Sequence, residues 1–323
     1  MLKSRVAILR GGPSYEYEAS LRSGHRVKSY VPDHYDATDI YIDKKGNWHH
    51  NGVKKTPEKI LRHFDVIFNA MHGEYGEDGK VQKILESHNS AYSGSNSFSS
   101  SLAMNKIKTK ELLALHGIKT PKFTYVKKDE YSYGDLSDVF ASIPRPMIVK
   151  PASSGSSMGV HVVATFDELV SAVNNVFKVG DVVLVEEFIR GKEVSCGVLD
   201  HSNGTDVYTF YPVEIQHNCK NGVWTTDSRN DGSSYQMTCP STLDVGIKNQ
   251  IQETTHRAHS LLGLRHYSCS DFLVTDKGDV YFLETDSHPR LDESSVYSTS
   301  LEAAGLTMST FVDHLLTLAL KRK

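Results

Sequence analysis

The sequence predicts an α/β protein, and three observations carry that expectation. Short apolar runs (Arg5–Leu9, Val66–Ala70, Met147–Lys150 and Val182–Ile189) are separated by stretches that include apolar residues recurring at helical spacing. The first two runs feed glycine-bearing polar loops, the place where open α/β sheets gather ligand-binding groups. At 323 residues the chain is long enough for two or three domains.

Arg5–Leu9 runs into Gly11-Gly12-Pro13-Ser14, then Glu16, Glu18 and a helical stretch from Ala19. Glycines at such a turn let backbone approach a ligand at a helix N-terminus, where anions are favoured. The strand Val66–Ala70 ends in His72-Gly-Glu-Tyr-Gly-Glu-Asp-Gly-Lys-Val-Gln82, dense in glycine and ionisable groups. Small polar residues from Gly94 to Ser101 mark a joint, so the first domain is expected to span 1–98, and a helix carrying Lys106, Lys108 and Lys110 follows. The next strand ends in Lys150-Pro151 and opens into Ala152–Gly159, a small-residue loop whose N–H groups can cradle phosphate oxygens under a lysine. It is no Walker loop, because Gly-Lys-Ser/Thr is absent and a strand, Val160–Val163, comes next.

Thr165-Phe-Asp-Glu168 is a capping box ahead of a packing helix with apolar positions from Phe166 to Phe177. The strand from Val182 delivers Glu186 to Glu193, acids and an apolar ring of the mix an adenosine site needs. Val207–Ile215 reads as one strand, and Gln216–Pro240, with Arg229 at its centre, as a long polar loop over a site. Leu243–Leu262 and Leu301–Leu320 read as helices. Between them, Ser268–Asp286 reads as two strands around a Lys277-Gly278 turn, which sets Asp271 opposite Glu284 and Cys269 opposite Asp286 on one face. Carboxylates that close repel one another, so a hard divalent ion such as Mg²⁺ is expected between them.

Composition excludes several classes. A net charge of −3 and the lack of a long basic run argue against nucleic acid as main partner, and no stretch is long enough to span a membrane. The opening Met-Leu-Lys-Ser-Arg-Val-Ala-Ile-Leu-Arg-Gly-Gly is too short in apolar residues for a signal peptide, so a cytoplasmic location is expected. Cysteines 196, 219, 239 and 269 show neither C-x-x-C pairing nor zinc spacing, and each is expected to be a small buried hydrophobe.

A strand ending in lysine, a small-residue phosphate loop, an acidic hinge strand and a carboxylate hairpin, in that order, resemble the ATP-grasp fold. The chain more closely resembles the D-alanine–D-alanine ligase family, nearly end to end. The likeness lies in Gly11-Gly-Pro-Ser-Tyr-Glu-Tyr-Glu18, His72-Gly-Glu-Tyr-Gly-Glu-Asp-Gly79, Met104-Asn-Lys106, Val149-Lys-Pro151, Gly155-Ser-Ser-Met-Gly159, Glu186 to Glu193, Asp271-Phe-Leu and Phe282-Leu-Glu284. It implies an N-terminal parallel α/β domain followed by two ATP-grasp subdomains, at 99–185 and 186–323. By the same resemblance Lys106 and Lys150 contact ATP phosphates, Ser156 and Ser157 cover them, Glu186 and Phe188 meet the adenine, and Glu193 meets the ribose. Asp271, Glu284 and Asp286 would hold Mg²⁺ or, in its place, Mn²⁺. Glu18, His72 and Ser156 match positions around a first amino acid, D-alanine or similar, and Ser295 one near the carboxylate of a second. The implied chemistry activates a carboxylate by phosphoryl transfer and lets an amine attack the acylphosphate, in the supply of peptidoglycan precursors; the family also suggests a homodimer.

The departures sit together. Where the family has an arginine two residues before the metal aspartate, this chain has Cys269; the metal asparagine is Asp286, and the glycine facing the oxyanion is Arg290. In the covering loop Arg229 takes the lysine position and Asn230 the tyrosine position. ATP and first-substrate positions thus survive, while oxyanion and second-substrate positions change, with Arg229 and Arg290 as replacement cations. A ligase with another acceptor amino or hydroxy acid, and a nucleotide-binding homologue without ligase activity, are the alternative readings.

Overall fold

The computed structural model describes residues 3–153, 159–202, 206–217 and 235–321. The first sheet has the order β4-β3-β2-β1-β5, with β1 at Ser4–Gly11, β2 at Tyr35–Ile42, β3 at Trp48–His50, β4 at Val53–Lys54 and β5 at Val66–Asn69. β1 runs parallel to both β2 and β5. Val6, Ala7, Ile8 and Leu9 are therefore all fully buried, the unbroken apolar run of a strand covered on two faces. Helix α1 (Tyr17–Ser29) follows β1 through a turn that only glycine fits: Gly11 has φ +94°, and a side chain there would run into the Ile42 carbonyl. Helices α2 (Pro57–Leu61) and α3 (Lys80–Ser87) complete this part.

Two short helices, α4 (Ser97–Met104) and α5 (Lys106–Leu115), come next, N-capped by the side chains of Asn96 and Asn105. The second sheet is antiparallel in the order β6-β9-β7-β8, comprising β6 (Phe123–Lys127), β7 (Met147–Pro151), β8 (His161–Val163) and β9 (Val182–Glu187). Helices α6 (Tyr133–Ser142) and α7 (Phe166–Val176) cover it, and both open with a full capping box, the second being the expected Thr165–Glu168 pair.

The third sheet is antiparallel, in the order β13-β12-β10-β14-β15 with β11 also on β10. Its strands are β10 (Lys192–Asp200), β11 (Val207–Thr209), β12 (Val213–His217), β13 (Tyr235–Thr238), β14 (Tyr267–Val274) and β15 (Val280–Asp286), and helix α8 (Val245–Leu261) packs on it. The single strand expected over Val207–Ile215 is two strands parted at Phe210-Tyr211-Pro212, since proline supplies no ladder N–H there. The single helix expected over Leu301–Leu320 is also two, α9 (Val296–Ala303) and α10 (Met308–Leu320), bent by 102°. Gly305 at φ +74° ends the first, and the Thr307 hydroxyl caps the second. α10 returns to the first sheet, where Phe311, Val312, Leu315 and Leu316 join Val6, Ile8, Val66 and Phe68 in one core. Among the described residues no single helix is long and apolar enough to cross a membrane.

The β14–β15 hairpin pairs Cys269 with Asp286 and Asp271 with Glu284 as expected, though by a route the sequence did not reveal. Near the turn Val274 faces Val280, one residue out of that register, and a bulge that leaves Leu283 unpaired restores it before the carboxylates. Cys196 and Cys269 are buried as expected, but Cys239 is only half-buried, at the end of the β13 edge strand.

Candidate active site

Helix α5 and strands of the second and third sheets supply one network of charges. Lys106, at the start of α5, places Nζ 2.8 Å from Glu284 Oε2 on β15. Lys150, the penultimate residue of β7, places Nζ 2.6 Å from Glu186 Oε2 on the neighbouring strand β9. Lys110 reaches the other oxygen of that carboxylate, Oε1, at 2.8 Å. Burial alone would raise the Glu186 pKa, yet the two ammonium groups outweigh it and hold the carboxyl below its usual range. Burial pulls the Lys110 ammonium down to about 8 although Glu186 opposes it.

The expected metal face lies beside these lysines. Ser195 on β10 donates to Asp271 Oδ1 at 2.5 Å across the ladder. Burial first, and then Glu284 and Asp286, push the Asp271 carboxyl well above its ordinary range. Hard oxygen donors that repel one another are the set a Mg²⁺-type ion relieves; the buried thiol beside them, Cys269, is held protonated by burial and by Asp271. Among the described residues no three His, Cys, Asp or Glu side chains are already grouped as a metal site; Glu284 is turned to Lys106 instead.

Beyond Asp271 a cavity of about 120 Å³ is lined in part by Glu193, Cys269, Asp286, Arg290 and Ser295. Ser295 caps α9, accepting from the Ser298 N–H at 3.2 Å. Arg290 directs Nε and Nη2 at Asp292 Oδ2, 3.1 and 2.6 Å away, and stays half-buried on the cavity wall. Glu193 thus joins the cavity, while Phe188, half-buried after β9, is fixed by its N–H on the Pro146 carbonyl at 3.1 Å.

His72 lies buried between α1 and the loop after β15. It is 1% exposed, its Nδ1 lies 3.0 Å from the His288 carbonyl and its Nε2 2.8 Å from Ser23 Oγ. A carbonyl only accepts, so Nδ1 carries the proton; Ser23, which accepts from the Leu291 N–H, then donates to Nε2. Burial, with Arg290 and His288 adding to it, drops the His72 pKa to about 3, so the ring is neutral. Its visible role is to tie α1 to the loop after β15.

Glu18 and Glu16 lie on different sides of the start of α1. Glu18 is exposed in the first turn of α1, whereas Glu16 has its charge felt at both Glu77 and Arg290. Two residues along a helix turn a side chain by about 200°, which is why only one glutamate of this pair can face the cleft. Besides Glu16, the sequence reading missed Lys110, whose signal was its four-residue spacing from Lys106, and Ser195, two residues from Glu193 on the same face of β10. Ser156, Ser157, Arg229 and Asn230 lie outside the described residues.

Comparison with known proteins agrees over nearly the whole chain. Residues 112–317 match the family model described as D-ala D-ala ligase C-terminus, and residues 49–95 match D-ala D-ala ligase N-terminus. The D-alanine–D-alanine ligase of Syntrophotalea carbinolica is 34% identical, covering 99% of this chain and 98% of its own. The vancomycin/teicoplanin A-type resistance protein VanA of Enterococcus faecium is 30% identical, covering 99% and 100%. Among solved structures, the VanG D-Ala:D-Ser ligase of Enterococcus faecalis superposes with a TM-score of 0.86 at 27% identity, covering 98% of this chain and 99% of its own. The D-alanine-D-alanine ligase of Coxiella burnetii gives 0.85 at 25%, covering 100% and 95%. Fold, charge network and relatives lead to one conclusion: this chain is an ATP-grasp protein and belongs to the D-alanine–D-alanine ligase family.

Proposed function

We propose that this protein is an ATP- and Mg²⁺-dependent carboxylate–amine ligase that joins two small amino acids, D-alanine or a close analogue serving as donor, through an acylphosphate. The observation that carries the reading is the pairing of Lys106 with Glu284 and of Lys150 with Glu186 beside the Asp271–Glu284 face. Cations and carboxylates at that spacing suit polyphosphate with a divalent ion, because phosphoryl transfer asks a protein mainly for positioning and charge neutralisation. Asp271, Glu284 and Asp286 would hold Mg²⁺, or Mn²⁺, which when bound would offset charge on the phosphates. Lys106 and Lys150 would orient the same phosphates, Glu186 and Phe188 the adenine, and Glu193 the ribose. Glu16, rather than Glu18, would face the donor, with His72 fixing the loop behind it.

The acceptor half supports a second reading, a ligase whose second substrate is not D-alanine. Its motive is the pair Cys269 and Arg290 on one cavity wall, where the resemblance implies arginine and glycine. The solved relative from Enterococcus faecalis is named as a D-Ala:D-Ser ligase, so the acceptor varies among relatives.

ADP release measured over pairs of amino and hydroxy acids tests both readings. Turnover with D-alanine alone supports the first, and turnover only with another acceptor supports the second. Tight ATP binding with no turnover for any pair would overturn both in favour of a nucleotide-binding homologue. Lys150→Ala and Glu284→Ala should each abolish turnover, with nucleotide affinity falling more for Lys150→Ala. Unchanged ATP affinity and rate in Lys150→Ala would remove the phosphate assignment.

A further inference from the structure

Lys110 has no part in the reading above, yet it is completely buried, which a lysine tolerates only with a charged partner. Its ammonium lies 2.8 Å from Glu186 Oε1 and donates to Thr120 Oγ1 at 2.8 Å. The other carboxylate oxygen, Oε2, lies 2.6 Å from Lys150 Nζ. One carboxylate therefore has two counter-charges of different kinds. Lys110 is enclosed, whereas the Lys150 side chain is 11% exposed and within Coulombic range of Glu284 and Asp271 at the cleft.

We propose that Lys110 is a positioning residue for the nucleotide site: by holding Glu186 ionised and in place, it leaves Lys150 free to turn from that carboxylate to a phosphate. The inference rests on the nucleotide-dependent ligase reading. A buried carboxylate with a single ammonium keeps it, because parting would strand an uncompensated charge. With Lys110 on Oε1, Lys150 can leave Oε2 without stranding Glu186. The same helix sets both halves of the arrangement. Lys106 and Lys110 are four residues apart on α5, so they share a face, and the Asn105 cap that fixes the start of the helix aims one at Glu284 and the other at Glu186. Thr120, just before β6, takes a second proton of the Lys110 ammonium and keeps it from following Lys150 toward the cleft.

Calorimetric titration of the full chain with ATP or ADP in the presence of Mg²⁺, and with adenosine, tests this. Lys110→Met should weaken ATP and ADP by about tenfold, the worth of one partly withdrawn charge contact, and leave adenosine little changed. In steady-state assays the KM for ATP should rise while that for the donor amino acid holds. In a Glu186→Gln background, where no carboxylate remains to capture Lys150, adding Lys110→Met should cause no further loss of ATP affinity. Equal losses for adenosine and ATP, an unchanged ATP affinity, or the same tenfold loss in the Glu186→Gln background would each overturn the proposal. Should Lys110→Met alone fail to fold, the Glu186→Gln background decides by the same comparison. A wild-type chain that binds no ATP would overturn the ligase reading and this inference with it, whereas wild-type binding combined with any of those three results overturns the inference alone.

Discussion

Arg290 carries a guanidinium with five donors, of which Nε and one hydrogen of Nη2 are taken by Asp292. The residue also lines the cavity that includes Cys269 and Asp271. A cation gained here and a cysteine beside it, where the resemblance implies arginine, are consistent with one charge moved from β14 to the loop after β15. Arg290→Gly should then abolish ligase turnover, and Cys269→Arg in that background should restore part of it. Full activity in Arg290→Gly would leave the guanidinium with Asp292 as its sole business. His72 gives a prediction of another kind. Its ordinary pKa of 6.5 falls to about 3 in the fold, so between those values the unfolded chain binds a proton that the folded chain refuses. The contribution is whole above pH 6.5 and is lost as pH falls toward 3, at ~1.4 kcal/mol per pH unit at most. Melting temperatures across this window should fall less steeply for His72→Gln than for wild type, and parallel curves would show that the ring does not set the acid limit.

At the level of elements, the sequence was most legible where a local signal had no competitor. Thr165–Glu168 reads as a capping box and is one, and the acidic hairpin places its four site residues in the expected pairs. The second success hides an error, since the Lys277-Gly278 turn predicts one register throughout and the strands are out of it by one until Leu283 bulges. Period-two patterning cannot distinguish the two histories, because a bulge rewrites the face without changing the composition. β10 was invisible for a related reason. Val194 through Leu199 are buried almost without alternation in the middle of the third sheet, and Gly197 lies where a side chain would press on Tyr297 and Phe210. The division of Leu301–Leu320 was also written locally, in Gly305 and Thr307, but the apolar run on either side drowned it. Thr307 accepts from the Thr310 N–H at 3.1 Å, so Thr307→Ala should cost ~0.5–2 kcal/mol in chemical denaturation and leave nucleotide turnover unchanged. A loss of turnover would mean that the bend between α9 and α10 reaches the cavity that Ser295 lines.

Over the whole molecule, what sequence could not supply were the contacts made across distant segments. The resemblance assigns Lys106 to phosphate and Glu284 to metal, and their 2.8 Å pair is visible only once α5 and β15 are side by side. Glu16 and Lys110 were passed over because a glutamate or lysine in a helix is ordinary until its neighbours are known. Another such contact is that of α10, which completes the core of the first sheet with Phe311, Leu315 and Leu316. The two ends of the chain therefore share one apolar core, and His72 reinforces the join through the His288 carbonyl. If that core is a single cooperative unit, damage to α10 must be felt in strands about 250 to 300 residues earlier. Leu315→Ala should lower stability by ~2–5 kcal/mol, as deletion of a fully buried leucine does. Amide exchange in that variant should accelerate in β1 and β5 as much as in α10. Faster exchange confined to α10 would sink the idea, because it would mean that the helix docks on a first sheet already able to stand without it.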